Sequence, residues 1–210
     1  MLLLLLSFVA TQVWAHTINY ALANAPTQHV IGFYLKLGFQ HIIPEGFDHI
    51  LFVIGLCLIS TKIKTILWQA TAFTVAHTIT LALTMQNMIV APSMLVEPII
   101  ALSIMFVAVE NLVVSELKPW RIAVVFLFGL IHGMGFANSL NEIGLPPDKF
   151  FTSIIAFNAG VELGQLAVIA AVFFFLINPL REQWWYKKRV AYPLSILIAL
   201  IACYWTVQRL

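Results

Sequence analysis

An all-α integral membrane bundle is the fold class this sequence predicts, and three observations predict it. Of 210 residues, 61% are hydrophobic and only 10% charged, against about 25% charged in a soluble domain. The mean hydropathy is +0.96. The apolar residues fall in long unbroken runs without two-residue alternation, which favours helices over a barrel. A formal charge of +2 gives no basis for a nucleic-acid partner; the partner it implies is the lipid bilayer.

In chain order, MLLLLLSFVATQVWA resembles a secretory signal peptide, a short leucine run closing on small residues at Ala15, and cleavage is expected there. The organisation expected is therefore 1–15 as signal, 16–46 as an extracytoplasmic segment and 47–210 as a six-helix membrane domain. The amphipathic stretch 29–46 reads as a helix lying along the outer surface or partly re-entering the membrane, the surface helix being the plainer reading. Six apolar runs follow at roughly 47–60, 66–86, 95–115, 120–140, 152–177 and 190–207, near the length a tilted span needs. The first is short, and Pro44 offers a helical first turn to lengthen it. Cys57 and Cys203 both sit in apolar runs and read as buried thiols.

The loops set the orientation. Eight Lys and Arg residues (Lys62, Lys64, Lys118, Arg121, Arg181, Lys187, Lys188 and Arg189) follow odd-numbered spans, and three (Lys36, Lys149, Arg209) lie on the other side. The basic loops belong in the cytoplasm. The mature N-terminus is then outside, in a multi-pass protein of a bacterial-type inner membrane.

Ionisable residues inside a membrane are expensive and mark a functional site. Asp48 and His49 open the first span. His77 sits in the middle of the second and His132 in the middle of the fourth, and Glu162 is near the centre of the fifth. Imidazole with carboxylate is a ligand set for Ni, Co, Zn or Fe. The expected metal site is His49, His77, His132, Asp48 and Glu162. Asp48 and His49, being adjacent, point about 100° apart, so one is expected to ligate and the other to orient a different histidine. His41, Glu45, Glu97, Asn138 and Asn158 are candidates for the ion's approach or for support of its ligands. Gly129–Gly133 and Gly160–Gly164 read as small-residue packing motifs.

The stretches GFQHIIPEGFDHILFVIGL, FTVAHTITLAL, VEPIIALSIMFVAVEN, FGLIHGMGFA and FNAGVELGQL, over about residues 38–168, together resemble the HupE/UreJ family, in its divergent second branch. The resemblance implies a small six-span permease handling nickel or cobalt for hydrogenase or urease maturation. Of the family's H-P-x-x-G-x-D-H pattern, Gly46, Asp48 and His49 match, while His41 stands one residue too far upstream. Of its F-H-G-x-A-H-G pattern, His132 and Gly133 match, and Phe136 occupies the place of the second histidine.

Three functions fit these residues. The first is uptake of a divalent transition metal. The second is an intramembrane zinc hydrolase with Glu162 or Asp48 as base, although H-E-x-x-H is absent. The third is an assembly factor that serves a metalloenzyme maturation partner.

Overall fold

A computed structural model of the chain describes residues 21–60, 62–114, 118 and 120–210, apart from the side chain of Asn138. The signal segment lies outside the described residues. Among those described, the structure is helical without strands. The helices are α1 (Thr27–Ile42), α2 (Phe47–Ile59), α3 (Ile63–Met85), α4 (Ser93–Val113), α5 (Arg121–Ile143), α6 (Phe150–Val172) and α7 (Tyr192–Gln208). A π-helical turn, Phe173–Ile177, and a final turn, Asn178–Leu180, prolong α6; a second π turn, Lys187–Ala191, precedes α7. With those extensions, α3 to α7 are each long and apolar enough to cross a bilayer. The α1–α2 pair, bent by 68° at its break, makes a sixth when taken as one span. The chain is a multi-pass membrane protein.

The bundle has a basic end, where the Lys- and Arg-rich loops gather, and an opposite end. α3 packs chiefly on α5, α1 on α6 and α4 on α7. The short α2 is enclosed among these three pairs, which is why it buries residues all round: His49, Phe52, Val53, Gly55, Leu56, Cys57 and Leu58. Lipid takes the outer faces. On α4, Ile99, Leu102, Phe106, Val109 and Val113 form an exposed apolar stripe at helical spacing.

Of the two readings of segment 29–46, the contacts favour entry into the bundle. The segment does not lie along a surface. Lys149, just before α6, donates from Nζ to the carbonyls of Ala23 and Ala25, both at 2.8 Å. Tyr34 is fully buried and its hydroxyl donates to the carbonyl of Gly144 at 2.7 Å. Further along, a Cβ on Gly38 would meet the Phe157 carbonyl, and one on Gly160 would meet the Leu35 carbonyl. α1 therefore runs beside α6 from the opposite end into the middle of the bundle. There the chain breaks at residues 43–46, rather than extending the helix back to Pro44, and α2 carries on towards the basic end. It arrives beside Val107, and Asn111 Nδ2 donates to the Gly55 carbonyl at 2.9 Å and to Ser195 Oγ at 3.3 Å.

The glycine motifs are packing motifs, as read. Gly129 lies against the Phe73 carbonyl and Gly133 against those of His77 and Thr80's hydroxyl, so any side chain would push α5 off α3. Of the cysteines, Cys57 is buried but Cys203 is exposed, because it lies on the lipid side of α7.

Candidate metal site

The break between α1 and α2 places two imidazoles at one level. His41, in the last turn of α1, and His49, in the first turn of α2, have ring centroids 4.7 Å apart. His77 of α3 lies 6.0 Å from each. One nitrogen of each of the three rings falls within 4.8 Å of the other two. His132 of α5 is 4.9 Å from His49 by ring centroid, but stands outside that closest trio.

Hydrogen bonds fix the tautomers of three of these rings. Asn158 Nδ2 donates to the Ile154 carbonyl at 2.9 Å, which leaves its Oδ1 to accept from His77 Nδ1–H at 3.0 Å. His77 Nε2 then carries the lone pair. Asp48 Oδ1 accepts the backbone N–H of His49 at 2.9 Å and its Nδ1–H at 3.1 Å, so His49 also presents Nε2. Ser103 Oγ donates to the Ile100 carbonyl at 2.6 Å. Its hydrogen is committed, so it accepts from His132 Nε2–H at 2.9 Å, and His132 Nδ1 carries the lone pair. Those three free nitrogens, and Nε2 of His41, are buried without a hydrogen-bond partner.

An unpaired buried polar atom costs about 1–3 kcal/mol, and three histidines carrying such an atom group here with His132 beside them. Holding one ring nitrogen by a carboxylate, amide or hydroxyl while the other faces inward is how metal-ligating histidines are oriented. Two nitrogens on one ion stand at most about 4.2 Å apart, at roughly 2.1 Å each, so the trio needs only a slight inward movement to share one. The residues fit a transition-metal ion.

The walls are aromatic. Phe136 lies 3.9 Å from His41 and stacks on Phe157 at 5.0 Å with 10° between planes. Phe73 stands 4.9 Å from His132, and Phe52 5.4 Å from His132 and 5.0 Å from Phe73. Each of these two is about one turn closer to the basic end than a neighbouring histidine, so they floor the site. On the other side a cavity of about 190 Å³ reaches His41, His49 and His132 between Asp48, Glu97 and Arg209.

The expected residue set is thus partly redrawn. His49 and His77 are in the trio, and His132 flanks it. His41, expected at the outer surface, is in the trio because α1 carries it inward. Glu162 does not reach the rings: its Oε1 accepts from Thr71 Oγ1 at 2.8 Å, on the α3–α6 groove. Asp48 orients its own neighbour His49, not a different histidine; adjacent side chains meet because Asp48 folds back onto the first turn. Glu97 borders the cavity, and Asn158 holds His77. Glu45 is exposed at the break, away from the rings. Asn138 falls within α5, its side chain outside those described. Ser103, which sets the tautomer of His132, carries no signal in the sequence, since one serine in an apolar helix has no distinguishing neighbour there.

Compared with known proteins, residues 15–209 match the family described as HupE / UreJ protein. Neither a curated protein nor a solved structure matches the chain.

Proposed function

The chain belongs to the HupE/UreJ family, and from that premise we propose that it takes up a divalent transition metal, nickel or cobalt, across a bacterial-type inner membrane. A His cluster within a multi-pass bundle of this family fits a metal-handling role. The observation that carries the proposal is the set of tautomers. His49, His77 and His132 each have the N–H committed to a neighbour, so that the other ring nitrogen is left buried and unpaired.

In this reading the ion approaches from the extracytoplasmic side through the cavity beside Asp48 and Glu97. It is held by His41, His49 and His77, with His132 next to them. Phe136, standing where the related motif has its second histidine, supplies a ring wall instead of a ligand. Release towards the cytoplasm requires Phe52 and Phe73 to part. The zinc-hydrolase alternative needs a carboxylate free to activate water. Here Asp48 Oδ1 is held by His49, and Glu162 bonds Thr71 outside the histidine group, which favours transport.

Cells expressing the wild-type chain are expected to accumulate Ni²⁺ or Co²⁺ above the level of cells carrying His77→Ala. Elemental analysis of the purified protein should show the metal lost in a His49/His77/His132 triple mutant. Equal accumulation by wild type and His77→Ala removes the proposal.

A further inference from the structure

Arg209 is a cation in an unexpected place. It directly follows α7 and lines the same cavity as Asp48, Glu97, His41, His49 and His132, which the preceding reading makes the path of a dication. A guanidinium there repels a bare metal ion. Yet it is held in position: Nη1 donates to the backbone carbonyl of Glu97 at 3.4 Å, and the guanidinium carbon lies 5.4 Å from the centre of the Trp205 ring. Among the described residues no carboxylate lies within ion-pair distance of it. Most of its donor fork is left for something else.

We infer that Arg209 and the histidines form a two-part site that takes the metal together with a small anionic ligand, a carboxylate being the class that suits a guanidinium fork. The inference rests on the metal reading above. Charge supports it. The cavity is lined by two carboxylic side chains, Asp48 and Glu97, and one guanidinium, Arg209, a formal charge of −1. A divalent ion alone turns this to +1 in a setting of low dielectric, where uncompensated charge is costly. One carboxylate brings it to zero. Coordination agrees: three imidazoles leave open positions on a nickel or cobalt ion, and His41 and His49 border the cavity from which these are filled. Space agrees too, since about 190 Å³ accommodates roughly six waters at ~30 Å³ each, or a small carboxylate with fewer waters. One carboxylate oxygen binds the metal and the other accepts from the guanidinium, a charge-assisted bond.

The test is Co²⁺ binding to the full-length chain in detergent, titrated in nitrate salt with and without millimolar acetate. In the wild type, acetate is expected to tighten Co²⁺ binding about tenfold, the effect of one charge-assisted hydrogen bond. Arg209→Gln should bind Co²⁺ in nitrate at least as tightly as the wild type, because a repelling charge is gone, and gain nothing from acetate. Arg209→Lys should recover part of the gain. A wild-type affinity indifferent to acetate overturns the inference without any variant. An equal gain in Arg209→Gln also overturns it, since acetate would then act on the metal alone. Absence of Co²⁺ binding by the wild type in either salt takes away the metal reading, and this inference with it.

Discussion

A nitrogen lone pair is the smallest unit on which the site depends, and the groups that aim it are as important as the rings. Asn158 fixes His77 through one hydrogen bond at 3.0 Å while being fixed itself by the Ile154 carbonyl. Removing such a support costs roughly 10–100-fold in metal affinity. Asn158→Ala is therefore expected to weaken Co²⁺ binding in that range, measured by titration of the purified protein. Glu162→Gln, one turn further along α6 and bonded to Thr71, should change affinity far less; the reverse order would restore Glu162 to the site and remove Asn158 from it. His77 and His132 were legible in the sequence because a lone imidazole inside an apolar run has few other reasons to be there. Glu162 was legible on the same ground but misplaced. Depth along a helix can be counted from the sequence, whereas the face that meets the histidines depends on which neighbour each helix chooses.

At the scale of helices, choice of neighbour is governed by close backbone contact. α1 and α6 touch where Gly38 meets Phe157 and Gly160 meets Leu35, and that contact sets where His41 ends up. Gly160→Val is expected to lower the thermal midpoint of the detergent-solubilised protein, overpacking costing about 1–3 kcal/mol, and to weaken Co²⁺ binding as His41 is displaced. Gly32→Ala in α1 meets no atom within 4 Å and should leave affinity unchanged; Ala is the better helix former by up to about 1 kcal/mol. If Gly160→Val bound metal as well as the wild type, His41 would not belong to the site. The five long spans could be read from composition alone. The broken one could not: sixteen moderately amphipathic residues before a Pro-Glu-Gly break have the same signature whether they lie on lipid or enter the bundle. Only the glycine on the partner helix, more than a hundred residues away, decides between these.

At the scale of the whole molecule the break in the first span has a topological consequence. If α1 and α2 together cross once, then the loops following α2, α4 and α6 share one side and gather eight of the eleven Lys and Arg residues there. If instead the chain entered with α1 and returned with α2 to the side it came from, those three loops would still share a side, but the start of α1 would lie there with them. The contacts favour crossing: α1 begins beside Lys149 at one end, and α2 reaches Asn111 near the other. One basic residue enters the bundle at that end, where Arg121 pairs with Glu110 at 3.1 Å, both buried, so the basic end also has a charge lock between α4 and α5. The orientation is tested by cysteine labelling in a Cys203→Ser background. Met88, exposed in the α3–α4 loop, and Lys64, exposed at the start of α3, are each replaced by Cys. A membrane-impermeant maleimide applied to intact spheroplasts is expected to label Met88→Cys and to reach Lys64→Cys only after lysis. Labelling of both from outside would mean that α3 does not cross the membrane and would overturn the topology. The opposite pattern, Lys64→Cys alone labelled, would turn the cavity beside Arg209 towards the cytoplasm, so that the ion would leave through it and uptake would become export.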